Sequence, residues 1–233
     1  MPDFQPPAPV PAITKEQVLA AFRFRRATKV FDPARPVSDQ DFAYILEAAR
    51  LSPTSNGLEQ WSAIVLQDAG LRRALVERAT APEAQLTTAS HVIVLTAKTA
   101  LGIAPDSPHA THINLEVKGM DAAALPAWRE RFAGFLSQRL GIAGNDRAIF
   151  DWSARQAYIV LGTVMTAAAL IGVESCALEG LSFADADQVL SEAGLIDLAT
   201  DRVAVMVALG YRGQEPRHPQ TRRPIEEIVR HAG

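Results

Sequence analysis

The chain has a single cysteine, Cys176, among 233 residues. An intramolecular disulfide is therefore excluded, and a reducing compartment fits. Cys176 lies in an apolar stretch, residues 173–178, and reads as a buried inert thiol rather than a nucleophile. Basic excess is missing as well. Lysine and arginine number 23 against 26 acidic residues, a net charge of −3, so the surface as a whole should attract neither nucleic acid nor acidic membranes. The longest apolar run, residues 159–173, is short of the roughly 20 residues a membrane-spanning helix needs and reads as a buried helix. The N-terminus is proline-rich, carries Asp3 where a secretory leader would be positive, and has no apolar core after it. Residues 1–13 read as an extended or disordered arm, residues 14–233 as a single domain, and the cytoplasm as the expected location.

Familiar catalytic signatures are also lacking. There is no G-x-S-x-G elbow, no GxGxxG after a strand and no G-x-x-x-x-G-K-[ST] loop. No Ser/His/Asp or Cys/His set presents itself, and the carboxylates are spread over expected helix surfaces. His109 and His112 are three residues apart, but Pro105 and Pro108 argue against a regular helix presenting them to a metal. An enzyme with so few catalytic side chains is understandable if a cofactor carries the reactive atom, since the protein then supplies placement and electrostatics.

Hydrophobic periodicity outlines the elements. Thr14 and Gln17 have capping-box spacing, and Val18, Ala21 and Phe22 follow at helical intervals. Ser38 and Asp41 open a second helix with Phe42, Ile45, Leu46 and Ala49 on its inner face; Pro53 stops it near Ser52. Residues 63–66 and 92–96 read as buried strands, with a helix over 71–79 between them. Residues 102–119 read as a surface excursion. An amphipathic helix over 125–140 carries Trp128, Phe132 and Phe135. A long helix over 152–171 is apolar nearly all round, and its Gly162, Thr166 and Leu170 offer a face that another helix could approach, inside the core or across a dimer. A strand over 174–178, a helix capped by Ser182 that ends near Gly194, and a strand over 202–209 complete the pattern. Trp61 reads as core. Helices and strands alternate with helices in the majority, which predicts an α+β or α/β sandwich around one sheet.

Two basic segments stand at opposite ends of the chain. The first spans residues 25–32, with Arg25, Arg26 and Lys29; the second spans 220–225, with Arg222 and Arg223. Guanidinium groups grip phosphate oxygens bidentately and stay charged. The segments are either a solvated basic face or a phosphate site made by folding the chain's ends together. Flavin chemistry suits the second alternative: arginines for its phosphate, a cation such as Lys29 for the anionic edge of its reduced ring, and a backbone donor for N5.

With those segments in hand, the chain resembles the FMN-dependent nitroreductase family, in the branch of oxygen-insensitive NAD(P)H nitroreductases and dihydropteridine reductases. The likeness covers residues 14–229. Residues 25–32 resemble the motif R-x-S-x-[RK]-x-F-D, which implies that Arg25, Arg26, Ala27 and Lys29 contact FMN, with Ala27 replacing the usual serine. Residues 52–61 resemble the P-S-S-x-N-x-Q-P-W loop that reaches the flavin of the opposite subunit. That implies cofactor contacts for Pro53, Thr54, Ser55, Asn56 and Glu59, although residues 57–60 depart from the pattern. Residues 90–100 resemble a structural strand of the branch. Residues 177–180 resemble P-I-E-G, implying that Leu178, Glu179 and Gly180 form the turn whose backbone donors sit at flavin N5. Arg222 matches the family's C-terminal phosphate arginine, with Arg223 beside it and Gln220 in a lysine position. Phe132 falls where the branch places an aromatic over the substrate face, or is plain helix core.

The resemblance implies an α+β fold of the nitroreductase type: a three-layer sandwich with helices around a central mixed β-sheet, assembled as an intertwined homodimer. It also implies an oxidoreductase that holds FMN, takes hydride from NAD(P)H, and passes it to nitroaromatics, quinones or related small oxidants in a two-step, ping-pong cycle. The alternative is a flavin-binding protein of the same fold with a storage or sensing role, or a specialised dehydrogenation.

Overall fold

The computed structural model describes residues 13–232; the expected N-terminal arm, apart from Ile13, lies outside them. Helix α1 (Lys15–Phe24) opens on a complete capping box, in which Thr14 and Gln17 each satisfy the other's backbone N–H. In α2 (Asp39–Arg50) the Ser38 hydroxyl accepts from the Asp41 amide. Each such cap is worth about 1 kcal/mol. Next come strand β1 (Trp61–Val65) and helices α3 (Ala69–Ala79) and α4 (Glu83–Thr88). Strand β2 (His91–Lys98), short helix α5 (Pro108–His112) and helix α6 (Leu125–Gly134) follow. The long helix α7 (Asp146–Leu170) precedes β3 (Glu174–Leu178), α8 (Phe183–Glu192), β4 (Asp201–Gly210) and the terminal turn α9 (Ile225–Ile228).

The four strands lie in the order β1-β2-β4-β3 and every pair is antiparallel. This corrects the expectation of a mixed sheet. The parallel pairing among the described residues is an isolated bridge between Ala27 and Ser175. Strands β2 and β4 occupy the centre and are buried on both faces, which explains their unbroken apolar sequence. Alternate residues divide between two cores. Ile93, Leu95, Val205 and Val207 face α2 and α7, while Val92, Val94, Met206 and Ala208 face α3 and α8. Helices, sheet and helices thus form three layers, as expected. Cys176 is buried in the second core.

Several local expectations need revision. Strand β1 is an edge strand with Ser62, Ala63 and Val65 exposed, not a buried one, because no described strand pairs with its outer side. Residues 102–119 are not a surface excursion: Ile103, Ala110 and Asn114 are fully buried. Pro108 starts α5 rather than breaking it, since a proline at the first helical position loses no hydrogen bond, and the Ser107 hydroxyl accepts from the Ala110 amide. The single helix expected over 125–140 passes at Phe135 into a π-helical turn, Phe135–Arg139. Gly162 makes no close helix approach among the described residues, none of which lies within 4 Å of where its Cβ would be. A third hydrophobic cluster, around Leu58, Ile103, Ile113, Phe132 and Trp152, joins the 102–119 segment to α6 and α7.

Candidate functional site

The two ends of the chain do meet. The Asp32 amide donates to Tyr211 O at 2.8 Å, and the Gly213 amide donates to Val30 O at 2.9 Å. The C-terminal segment then crosses the end of α1, where Gln220 Nε2 donates to Phe22 O at 3.5 Å. Arg25 caps α1 through its backbone N–H to Ala21 O and turns the chain into an extended run. That run lies along the edge of β3, bridging Ala27 to Ser175. Lys29 Nζ consequently sits 3.8 Å from Cys176 Sγ, two residues before the turn at 178–180.

Arg25 and Arg26 are half-buried. Arg26 Nη1 is buried without an acceptor, a costly state for a guanidinium N–H that an anionic oxygen would relieve. Arg26 borders a cavity of about 460 Å³ together with Arg23, Arg212 and Arg217. Arg212 is already paired with Glu174 and with Glu215, which lines the same cavity, so the fit to a phosphate rests on Arg26 with its unpaired Nη1 and on Arg23 and Arg217. Arg222 and Arg223 are exposed; Arg222 Nη1 donates to Thr221 O at 2.6 Å, so its guanidinium rests on its own chain rather than at Arg26.

At the end of β3, Leu178 is buried and Glu179 and Gly180 are exposed. The Tyr158 hydroxyl on α7 donates to Glu179 Oε1, and burial together with this carboxylate pushes the phenol pKa up. The turn is thereby tied to α7. Sequence reasoning missed Tyr158, which carries no recognisable spacing.

Residues 53–59 form the second half of the candidate site. Pro53, Asn56 and Glu59 are exposed, and Thr54 and Ser55 half-buried. Asn56 and Glu59 have φ of 57° and 45°, left-handed conformations that cost about 1–3 kcal/mol unless the surroundings enforce them. The enforcement comes from three other elements. The Ser55 amide donates to Gln156 Oε1 of α7 at 3.0 Å, His109 Nε2 donates to Leu58 O at 2.8 Å, and Lys118 Nζ donates to Asn56 O at 2.8 Å. Burial lowers the pKa of both His109 and Lys118. His109 and His112 belong to no candidate metal cluster among the described residues.

A pH prediction follows from His109. Its imidazole pKa is depressed by burial in the folded state, so the unfolded chain binds the proton more readily. The stability it contributes is present above about pH 6.5 and is lost as the pH falls through the depressed value. His91 shifts in the same direction, mainly through burial, so the comparison with His109→Gln isolates the effect. Urea midpoints measured from pH 8 to pH 5 should fall more steeply in wild type than in the variant; parallel curves would remove His109 as the cause.

Phe132 is only 3% exposed and packs within the third cluster, as core. It nevertheless contributes to the wall of a cavity of about 600 Å³ that also includes Asn56, Trp128 and Phe135. Trp128 stacks on Phe132 with ring centroids 5.2 Å apart, and Phe135 follows at 6.1 Å. The i, i+4, i+7 aromatic spacing of this wall was visible in the sequence, although only Phe132 was singled out there.

The candidate residues therefore fall into two groups. Gln156, which holds the 53–59 loop, and Tyr158, which holds the 178–180 turn, are two residues apart on α7. At 3.6 residues per turn their side chains leave the helix about 200° apart. The two groups lie on opposite sides of α7.

An α+β sandwich of this kind is the nitroreductase fold. A nitroreductase-like protein from Streptococcus mutans matches it with a TM-score of 0.75 at 17% identity, covering 94% of this chain and 100% of that one. An Exiguobacterium sibiricum structure, described as "a putative nitroreductase in complex with FMN", matches with a TM-score of 0.70 at 19% identity, covering 92% of this chain and 97% of the other. The sequence goes further than the fold. The model of the nitroreductase family matches residues 22–211. A Bacillus subtilis protein, "Putative NAD(P)H nitroreductase YfkO", is 42% identical over 216 residues, 93% of this chain and 97% of that protein. The chain belongs to the nitroreductase family.

Proposed function

We propose that the protein is an FMN-dependent oxidoreductase that takes hydride from NAD(P)H and reduces nitroaromatics, quinones or related small oxidants in two half-reactions at one place. The observation that carries this reading is that residues 25–29 run along the edge of β3 just before the 178–180 turn, while the C-terminal segment reaches the end of α1 from which that run departs. Bound FMN would supply the atom that accepts and returns the electron pair. Arg25 and Arg26 would hold its phosphate, and Arg222 and Arg223 would join them by swinging in from the exposed C-terminal segment. The ammonium of Lys29 would balance negative charge on the ring's pyrimidine edge. Gly180 would offer a backbone N–H, with Leu178 and Glu179 shaping the turn. Tyr158 keeps that turn in place through Glu179. Solvent can deliver the protons, so no side chain need serve as an obligate acid.

The site would be completed by a second copy. Residues 53–59 and the aromatic wall lie across α7 from the 178–180 turn, so a two-fold partner must bring one group to the other. Exposed apolar surface supports the same homodimer: Tyr44 of α2 and Leu170 of α7 line one open hollow with Ile13 and Phe24. Such surface on a soluble chain marks an interaction site. No helix among the described residues is long and apolar enough to cross a membrane.

The purified protein should be yellow or turn yellow with FMN, and should oxidise NAD(P)H when a nitroaromatic or quinone is present. A colourless protein that ignores added FMN would refute the cofactor; a yellow one that NAD(P)H cannot bleach would favour the storage or sensing role. Arg222→Ala should weaken FMN binding by about 1.5 kcal/mol, roughly tenfold, the low end for a charge-assisted contact because Arg222 is exposed. Fluorescence titration of FMN reads this directly, and an unchanged affinity would remove Arg222 from the site.

A further inference from the structure

The aromatic-walled cavity has a charge character that nothing in the proposed reaction requires. Trp128 and Phe135, half-buried and held by the buried Phe132 ring stacked between them, give it aromatic surface for a flat ring, since offset stacking on aromatic side chains favours planar ligands. Its other lining residues include Arg131 and Arg139, with Glu130 as the carboxylate on the same lining. Neither arginine forms an ion pair among the described residues, whereas other arginines of this chain do. Two exposed guanidinium groups beside an aromatic face make a local positive field in a protein whose net charge is −3. Any preference for anions at this spot must therefore arise from the site and not from the molecule as a whole.

We propose that this pocket selects planar aromatic oxidants carrying an anionic substituent. The ring packs against Trp128 and Phe135, which Phe132 backs, and the anion meets Arg131 and Arg139. The inference rests on the reductase reading for its chemistry and on the pocket alone for its selectivity. With 4-nitrobenzoate as oxidant the reaction balances as follows. NAD(P)H gives up a hydride and becomes NAD(P)⁺. The nitro group takes that electron pair with one further proton from solvent, one N–O bond breaks, and the products are the nitroso compound and water.

Two measurements on the FMN-loaded protein test the idea. In the first, kcat/KM is compared for 4-nitrobenzoate and its neutral amide, 4-nitrobenzamide. The expected ratio is at least fivefold in favour of the anion at low salt, falling as ionic strength rises and falling towards one when Arg131→Gln and Arg139→Gln are combined. In the second, 2-naphthoate and 2-naphthamide, which cannot be reduced in this way, are titrated against tryptophan fluorescence. The naphthoate should bind more tightly, and the double variant should lose the difference. A ratio within twofold of one in both measurements, or a preference that survives in the double variant, would overturn the proposal while leaving the reductase reading intact. Preferential naphthoate binding without reduction of either nitro compound would do the reverse, refuting the reductase reading and supporting the pocket's selectivity.

Discussion

Replacing Arg72 with methionine should destabilise the protein by about 3–5 kcal/mol. Arg72 lies on α3 with only 9% of its surface exposed. No carboxylate among the described residues pairs with it. Its guanidinium instead donates to backbone carbonyls: Nε to Leu66 O at 2.8 Å, and Nη1 to Leu86 O at 3.1 Å and to Ala89 O at 2.8 Å. Nη2 reaches Gln67 Oε1 at 2.5 Å and Ser90 O at 3.4 Å. One side chain thus gathers the end of β1, the end of α4 and the start of β2. Burial lowers its pKa, but an arginine that starts so high stays charged. Methionine has similar length and no donor. Each buried carbonyl it leaves unpaired costs about 1–3 kcal/mol, offset in part by relief from burying a charge. Arg72→Lys should cost less, since an ammonium still donates, yet it lacks the planar fork that spans separate carbonyls. Urea unfolding measures all three proteins; a loss below about 1 kcal/mol for Arg72→Met would show that water replaces the guanidinium without penalty.

Leu58→Ala should be of similar size, about 2–5 kcal/mol, the range for removing a fully buried leucine side chain. Leu58 is 0% exposed and inserts between the 102–119 segment and the aromatic residues of α6 and α7. It is also the apolar anchor of a loop whose Asn56 and Glu59 hold left-handed backbone. Without the anchor that strain has less to resist it. Hydrogen exchange should quicken at the Gly57 and Leu58 amides, which donate to Thr54 O and Ser55 O, before the rest of the protein is affected. Leu58→Met, close to volume-conserving, should cost under about 1.5 kcal/mol. An alanine variant with wild-type stability and unaltered exchange would mean that the polar ties from His109, Lys118 and Gln156 suffice by themselves.

Both predictions concern residues to which sequence reading assigned no role, and the reason is the same. Arg72 looks like any other arginine on a helix, because its acceptors are carbonyls that a sequence does not display. Leu58 stood in a stretch that departed from the family pattern, so only its polar neighbours were weighed. The 102–119 segment was misjudged for a related reason. Proline was read as a breaker, whereas its effect depends on whether it falls inside a helix or at its first turn.

What the chain's order of residues determined alone was local and periodic. Capping hydroxyls at Thr14 and Ser38 marked helix starts, because their hydrogen bonds span three residues. The apolar runs of β2 and β4 marked the sheet's centre, because a strand covered on both faces has no polar side to show. The ordered motifs around Arg25, Glu179 and Arg222 marked the family. Tertiary structure alone decided which of these meet. It turned the expected mixed sheet into an antiparallel one, brought the C-terminal segment to the end of α1, and set the two groups of candidate residues on opposite sides of α7. Such relations join residues far apart in the chain through burial and hydrogen-bond satisfaction, and these depend on the whole packed molecule rather than on neighbours in sequence.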